Sequence, residues 1–301
     1  MTAALLEHHP APDLIVIDNL STGVRARLGT LQVTFHQRDV REPLDDLFAG
    51  TEVVVHLAGS AGVPRSVADP LADAQANIEG TVALLESCRR AGVRRIVYAS
   101  SAAVYGVPEQ VPIHEEALSQ PSSPYGLSKL TGERYVLMYD DLFGLDTCAL
   151  RFFNVYGPGQ RPDSSYSGVI TIFTDRLLQR RSLLIEGDGK QSKDFIHVYD
   201  VARAVRLAAY APGAGGVYNI ASGAPTSVLD LADIMLRVSG RKVPVEFRRP
   251  RPGDVRQSVA AVQRAARALG FRSQVDLEHG LHSLWQETKT AGSTAPAASP
   301  A

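Results

Sequence analysis

Cysteine is scarce in this sequence, and long apolar runs are absent from it. The 301 residues include 2 cysteines, Cys88 and Cys148, each in an apolar stretch and without the spacing of metal ligands. This excludes a disulfide scaffold and favours buried thiols in a reducing compartment. No stretch is long and apolar enough to span a membrane, and no signal peptide is recognisable. The sequence therefore predicts a cytoplasmic protein without a metal site or a membrane anchor.

Net charge is also nearly absent. The formal charge is −1 at pH 7, so no overall field attracts nucleic acid or an anionic membrane, and any anion site must be local. Hydrophobic residues make up 45% of the chain and the mean hydropathy is −0.05, which is typical of a globular protein with a sizeable core. At this length we expect one large α/β domain or two small ones.

A tyrosine and a lysine stand four residues apart, at Tyr125 and Lys129. This spacing places them one turn apart on the same face of a helix. An ammonium group beside a phenol favours the phenolate, so the tyrosine could act as a base near neutral pH. Such pairs are common by chance, however, and a solvated helix face is the ordinary interpretation of one taken alone.

The surroundings of this pair favour a catalytic role. Residues 93–99 (VRRIVYA) have the β-branched character of a buried strand. Ser100 and Ser101 follow where open α/β sheets bind their ligands, and Ser123 with Pro124 marks a break before the next helix. A hydroxyl group at a strand end and a Tyr–Lys pair opening a helix can converge on one carbinol.

With these motifs the chain resembles the extended short-chain dehydrogenases/reductases of the NAD-dependent epimerase/dehydratase family, and within it the UDP-glucose 4-epimerases. The motifs run in family order over nearly the whole sequence, and chance recurrence of the set is negligible. They are residues 100–106 (SSAAVYG), 123–129 (SPYGLSK), 151–158 (RFFNVYGP), 187–191 (GDGKQ), 194–198 (DFIHV) and 251–254 (RPGD).

The resemblance implies the fold and its division. We expect a doubly wound parallel sheet of the Rossmann type with a smaller α+β region that binds the substrate. The NAD-binding part is expected at 1–160, with elements of 196–222 returning to it, and the substrate-binding region at 161–285. Residues 286–301 are expected to be a disordered tail because their Ala/Ser/Pro/Gly-rich end lacks an apolar pattern. Relatives commonly form homodimers, which we expect here too.

The resemblance also implies a set of NAD contacts. Asp18, in DNLSTG, ends a predicted strand, and an acid there bonds the adenosine ribose and disfavours the 2′-phosphate of NADP. A polar strand end is the alternative interpretation of Asp18, and a locally bonded helix residue is that of Asn77. The expected cofactor-binding residues are Asp18, Asn19, Asp39, Val40, Ala58, Gly59, Asn77, Tyr125, Lys129 and Phe152.

One family feature is missing. A strand and a glycine-rich turn should precede the first helix, yet no G-x-x-G-x-x-G lies upstream of Asp18. Two explanations are open: a start assigned too late, with a natural chain about 20 residues longer, or a true truncation that binds NAD poorly. We favour the first because the remaining site residues are intact.

For the substrate, the resemblance points to a UDP-hexose held through its diphosphate. Ser101 and Asn154 are expected to contact it, together with Lys193, Arg251 and Asp254. Lys193 stands where relatives usually carry Arg, so a bidentate contact with phosphate is lost. The basic run around Arg251 is otherwise interpreted as a solvated surface.

The expected chemistry begins with Tyr125 taking the proton of a sugar hydroxyl while NAD accepts hydride. Lys129 assists electrostatically, and Ser101 hydrogen-bonds the same oxygen. Dehydratases of the family carry Asp-Glu directly after the catalytic Ser/Thr, whereas Ala102 and Ala103 stand here and cannot transfer protons. We therefore expect a nucleotide-sugar 4-epimerase. The alternatives are a 4-ketoreductase or dehydratase of the same family, or a non-catalytic truncated member.

Overall fold

The computed structural model describes residues 1–7, 11–160, 168–211, 213–250 and 255–294. The helices are α1 (Thr2–Leu6), α2 (Asp45–Phe48), α3 (Val63–Ala68), α4 (Pro70–Ala74), α5 (Gly80–Ala91), α6 (Pro124–Phe143), α7 (Val169–Leu178), α8 (Val198–Ala209), α9 (Val228–Ser239), α10 (Gln263–Ala268) and α11 (Leu277–Thr294). The strands are β1 (Ile15–Ile17), β2 (Thr34–His36), β3 (Val53–His56), β4 (Arg95–Ser101), β5 (Asp146–Phe152), β6 (Asn154–Tyr156), β7 (Leu183–Glu186), β8 (Ser192–His197), β9 (Gly216–Ile220), β10 (Pro225–Ser227), β11 (Val245–Arg248) and β12 (Gln257–Ser258). Short 3₁₀ turns lie at Arg25–Leu28 and Ala102–Tyr105, and a π-helical turn lies at Gln75–Glu79.

The main sheet is parallel, in the order β3–β4–β5–β9. Alternate residues of β4 face opposite cores: Val97 packs with α8, whereas Ile96 and Tyr98 pack with α5 and α6. Helices on both faces explain why this strand is apolar almost throughout. The expected doubly wound α/β fold is confirmed.

The sheet is split beside β3. Strands β1 and β2 pair in parallel with each other, through Ile15↔Thr34 to Ile17↔His36, and form a separate two-stranded sheet. Ile17 and Val54 nevertheless pack against one core, and Leu14 and Val53 pack against the other. The two pieces therefore share both cores, although no ladder joins β1 to β3 among the described residues.

The smaller region is built around its own apolar cluster. Strands β6, β8, β10 and β12 form one sheet, β7 and β11 pair in parallel beside it, and α7, α9 and α11 cover them. Ser227 caps α9, since its hydroxyl accepts a hydrogen bond from the Asp230 N–H.

The glycine turn at 187–189 joins strands of different sheets, because β7 pairs with β11 whereas β8 pairs with β10 and β12. The turn's backbone bonds Arg248 and Leu229. One sequence expectation about this region was wrong: the tail expected to be disordered from residue 286 is helical as far as Thr294. It belongs to α11, which Leu281, Leu284 and Trp285 anchor to the core. Residues 295–301 lie outside the described part. No described helix has the length and apolarity needed to cross a membrane.

Helix α6 approaches β4 closely because it carries glycine at the contact. A Cβ atom on Gly132 would lie 2.4 Å from the hydroxyl oxygen of Tyr98 and 3.0 Å from its Cζ. Alanine normally favours a helix by up to about 1 kcal/mol over glycine, so this contact opposes the usual preference.

We predict that Gly132→Ala lowers the free energy of unfolding by about 1–3 kcal/mol, because the buried Tyr98 ring must shift to make room. Urea denaturation measures the change. The control is Asp141→Ala on the exposed face of the same helix, which should change stability by less than about 0.5 kcal/mol. A Gly132→Ala protein as stable as the native one would contradict the close contact.

Candidate active site

The parallel strands bring most of the predicted cofactor residues to one edge of the fold. Each follows or ends a strand at its C-terminal end, where open α/β sheets bind ligands. They are Asp18 and Asn19 after β1, Asp39 and Val40 after β2, Ala58 and Gly59 after β3, Ser101 at the end of β4, and Phe152 at the end of β5.

The residues after β1 and β2 are joined by hydrogen bonds. Asp18 Oδ1 accepts from the Leu20 N–H at 2.7 Å, and Asn19 Nδ2 donates to Asp39 Oδ2 at 2.9 Å. Arg41 donates to both Asp39 oxygens at 2.9 Å and holds the pKa of that carboxyl well below its usual value. Asp39 is thus engaged by Arg41, a contact that the sequence analysis did not anticipate.

Asn77 is the hub of a buried network in the π-helical turn. The two hydrogens of its Nδ2 are shared among three acceptors: the Ser60 carbonyl at 2.9 Å, Asp73 Oδ1 at 3.0 Å and Ser128 Oγ at 3.1 Å. Its Oδ1 accepts from the Ser60 N–H at 2.9 Å. A Cβ on Gly59, where φ is +152°, would lie 2.4 Å from that oxygen. Only glycine therefore lets the loop after β3 close on this amide.

The start of α6 is fixed against the turn that follows β4. Ser123 caps the helix by accepting a hydrogen bond from the Gly126 N–H, and Pro124 occupies the first turn. Ser101 Oγ accepts from the Ala103 N–H at 3.2 Å. A Cβ on Gly126 would lie 2.5 Å from the Ala103 carbonyl oxygen. This contact brings the chain next to Tyr125 onto the turn that Ser101 begins.

Lys129 is buried on the inner face of α6, only 7% exposed. Its Nζ lies 4.7 Å from the centre of the Tyr98 ring, an arrangement that stabilises a cation over an aromatic face. Burial lowers the pKa of Lys129 to about 8, and the charge of Asp73 opposes that shift. With a pKa of about 8, Lys129 is mostly protonated at neutral pH, and a modest change in its surroundings would alter the protonated fraction.

His56 at the end of β3 is neutral. Burial, with the positive charge of Lys129 as a second cause, lowers the pKa of His56 to about 3. Its Nε2 lies 3.0 Å from Thr81 Oγ1, whose hydroxyl donates to the Asn77 carbonyl at 2.6 Å. His56 on β3 therefore adds no positive charge beside Lys129.

A buried ion pair ties α6 to the two central strands. Arg151 on β5 donates to both carboxylate oxygens of Glu133, at 2.6 and 2.9 Å, and Ser100 Oγ donates to Glu133 Oε2 at 2.6 Å. Glu133 follows Lys129 by one turn, so Tyr125, Lys129 and Glu133 share one face of α6. The pair thereby sets the rotation of the helix about its axis.

The expected substrate residues are far apart in the sequence, but two of them, Asn154 and Lys193, lie on neighbouring strands. Asn154 begins β6 and its Nδ2 donates to the Asp194 carbonyl at 3.0 Å. Lys193 lies on the neighbouring strand β8, and its Nζ donates to the Val255 carbonyl at 2.6 Å. Arg251 and Asp254 lie outside the described residues.

Sequence reasoning missed Asp73, Tyr98, Glu133 and Arg151, all of them buried. Glu133 had a usable signal, because it continues the four-residue spacing of Tyr125 and Lys129. Asp73 likewise stands four residues before Asn77. An acid in a predicted helix is usually on its solvated face, which is why neither stood out.

The two ends of this edge fit the two ends of NAD. Asp18 and Asn19 offer hydrogen-bonding groups for a ribose, and Lys129 offers a cation one turn after Tyr125. The Phe152 side chain, at the end of β5, packs partly against the core that includes α8. Gly59 keeps side-chain bulk away from the loop after β3. In this type of fold a glycine-rich turn holds the pyrophosphate of a dinucleotide. Among the described residues no such turn occupies the space between the neighbouring edges of β1 and β3.

The chain is similar to a known protein family and to solved structures of that family. The model of the NAD-dependent epimerase/dehydratase family matches residues 1–221. A putative UDP-glucose 4-epimerase of Methanocaldococcus jannaschii is 38% identical over 273 residues, covering 89% of this chain and 88% of that protein. The structure of Thermotoga maritima UDP-glucose 4-epimerase with UDP-glucose is similar with a TM-score of 0.88 at 34% identity, covering 94% and 93% of the two chains. Thermus thermophilus UDP-glucose 4-epimerase in complex with NAD gives 0.84 at 33% identity, covering 92% and 91%.

We predict that Glu133→Gln lowers the free energy of unfolding by about 3–5 kcal/mol, because Arg151 is left buried without its counter-charge. Urea denaturation measures the loss. The matched control is Glu52→Gln, which breaks an ion pair with Arg94 whose side chains are 65% and 76% exposed; it should cost less than about 1 kcal/mol. Equal losses in the two variants would show that the buried pair does not anchor α6.

Proposed function

The chain belongs to the NAD-dependent epimerase/dehydratase family, and from this premise we propose that it is a nucleotide-sugar 4-epimerase acting on a UDP-hexose. The observation that carries the proposal is the buried Lys129 on α6, one turn after Tyr125, where the helix start packs against the turn of Ser101. UDP-glucose 4-epimerases among the similar proteins support the substrate class.

In this mechanism Tyr125 is the base. Its phenolate takes the proton of the sugar 4-hydroxyl, and the ammonium group of Lys129 stabilises the phenolate electrostatically. The Ser101 hydroxyl donates a hydrogen bond to the same sugar oxygen and stabilises the charge that develops there. NAD, when bound, supplies the chemistry of taking up and returning one hydride at C4. After the 4-keto sugar turns over, Tyr125 returns the proton.

The residues after Ser101 disfavour the dehydratase alternative. Ala102 and Ala103 form the first part of the 3₁₀ turn, and Ala102 packs into an apolar cluster with Val104 and Tyr105. A dehydratase needs an acid and a base for elimination across C5 and C6, and methyl groups provide neither. Return of hydride to the opposite face of the keto sugar needs no further proton-transfer group, so epimerisation is favoured.

The same proposal assigns the binding of cofactor and substrate to different parts of the chain. We assign cofactor binding to 1–160 together with the returning elements of 196–222, and binding of the nucleotide sugar mainly to 161–285. Asn154 and Lys193 lie on neighbouring strands at the boundary, where they can face the substrate diphosphate, and Arg251 with Asp254 completes the proposed set.

The central test is Tyr125→Phe, which removes the phenol oxygen. We expect kcat for interconversion of UDP-glucose and UDP-galactose to fall by about 10²–10⁴, because no base remains for the 4-hydroxyl, while UDP-glucose affinity stays within a few-fold by calorimetry. The control, Tyr135→Phe, removes the same hydroxyl from the same helix where the side chain is 36% exposed, and should turn over like the native protein.

The outcomes of that assay separate the alternatives. Substantial residual activity in Tyr125→Phe would exclude Tyr125 as the base. Net consumption of NAD(P)H by the native protein, without interconversion, would replace the epimerase by a ketoreductase. Binding of UDP-glucose without turnover or retained NAD would favour the non-catalytic alternative.

We also infer that the protein acts as a homodimer in the cytoplasm. Both described cysteines, Cys88 and Cys148, are free and buried, which suits a reducing compartment. On the outer face of α6 the large side chains of Leu127, Tyr135, Met138 and Leu142 form an exposed apolar stripe at helical spacing. A stripe of this kind is typical of a helix that packs against a partner.

Met138→Glu tests the dimer, because a charge in the middle of the stripe would be desolvated in the interface. We expect light scattering after size-exclusion chromatography to show a dimer for the native protein and a monomer for the variant. The control is Asp141→Asn, which lies outside the stripe. A native monomer would refute the interface, as would a variant that dimerises equally well.

A further inference from the structure

Asp73, in the last turn of α4, has no role in the proposed chemistry, although it lies beside the residues that do. Its side chain is buried, 2% exposed. Oδ1 accepts a hydrogen bond from Asn77 Nδ2 at 3.0 Å, whereas Oδ2 is buried without a hydrogen-bond partner among the described residues. A buried carboxylate oxygen without a hydrogen bond is costly unless a nearby charge compensates it.

The first effect of Asp73 is on the amide of Asn77. That amide must present its NH₂ group to the Ser60 carbonyl and to Ser128 Oγ, and its oxygen to the Ser60 N–H. The Asp73 carboxylate can only accept a hydrogen bond, so it favours the same orientation of the amide, in which the NH₂ group of Asn77 is turned toward Asp73. Because Ser128 is adjacent to Lys129, the orientation of the amide also fixes the inner face of α6.

The second effect is on the charge of Lys129. Its Nζ lies over the Tyr98 ring of β4, and its charge acts on His56 of β3. On α6 the nearest titratable groups on the same face are Tyr125 and Glu133, one turn before and one turn after it. His56 is neutral, and Glu133 is bonded to Arg151. Asp73 from α4 supplies the charge that raises the pKa of Lys129 against the effect of burial.

We propose that Asp73 is a positioning residue of this site, which orients the Asn77 amide and is the buried counter-charge of Lys129. The inference rests on the proposed function, since the ammonium group matters because it stabilises the Tyr125 phenolate. Without the carboxylate, Lys129 loses its proton at a lower pH. The alkaline limb of the activity profile then moves to lower pH, whereas a purely structural role would lower activity at every pH alike.

The titration of Lys129 can be followed without substrate or cofactor. The sequence contains five lysines, Lys129, Lys190, Lys193, Lys242 and Lys289, so lysine labelled with ¹³C at Cε gives a short spectrum in the full-length protein. Loss of one signal in Lys129→Met assigns the resonance. In the native protein we expect Lys129 to titrate at lower pH than the other lysines, because of its burial.

Asp73→Asn removes the charge but keeps an acceptor for the Asn77 amide. We expect the Lys129 midpoint to fall by about one pH unit relative to the native protein. Asp141→Asn makes the same charge change on the exposed end of α6, about 18 Å along the helix from Lys129, and should leave the midpoint unchanged. A native midpoint in Asp73→Asn would overturn the electrostatic part of the proposal.

Asp73→Ala removes both the charge and the acceptor. It should shift Lys129 like Asp73→Asn and, unlike that variant, speed hydrogen exchange of the Asn77 side-chain amide. Selective ¹⁵N-asparagine labelling resolves that amide, since the only other asparagines are Asn19, Asn154 and Asn219. Unchanged exchange in Asp73→Ala would overturn the orienting role. If Asp73→Asn fails to fold, Asp73→Ala still tests the charge, because it buries no new polar group.

Activity provides the link to function and separates the two proposals. With NAD and UDP-glucose, the alkaline limb of kcat/KM should move down in Asp73→Asn by the same interval as the Lys129 resonance. A native protein without epimerase activity would refute the proposed function while leaving the resonance test intact. A resonance shift without a matching shift of the limb would overturn the link between Lys129 and the phenolate.

Discussion

The candidate active site depends on one lysine that is buried away from water, so that its surroundings must compensate its charge. Lys129 is buried on α6, and burial alone favours loss of its proton. The Tyr98 ring lies under the ammonium group, the charge of Asp73 favours it, and His56 adds no opposing positive charge because it is neutral. Each of these groups comes from a different element, so α4, β3, β4 and α6 must all be in place before the site is competent.

The second requirement is that α6 cannot rotate. Tyr125, Lys129 and Glu133 recur at four-residue intervals, and the third of them is held by Arg151 on β5 and Ser100 on β4. Gly126 and Gly132 remove side-chain bulk where the same helix meets the Ala103 carbonyl and the Tyr98 ring. Ion pairing and close backbone approach therefore act together: one sets the angle of the helix and the other its distance from the sheet.

The sequence was a good guide where a pattern reflects one element. Apolar runs located the central strands, and the residues at their ends, such as Ser101 and Asp18, lie where parallel strands must place them. Relations between distant segments were not accessible in this way. The partners of Asp73 and Glu133, the pairing of β7 with β11 and the anchoring of α11 by Trp285 all depend on packing between elements. Local spacing carries no information about the partner element in such contacts, and an acidic residue in a helix is ordinarily solvated.

The divided sheet leaves the cohesion of its two pieces to side chains. Among the described residues β1 and β3 each have a ladder on one side. The two pieces are held together where Ile17 and Val54 pack in one core and Leu14 and Val53 pack in the other. Apolar packing is not directional as a ladder of hydrogen bonds is. The volumes of these four side chains therefore help to set the distance between the loops of Asp18 and Gly59.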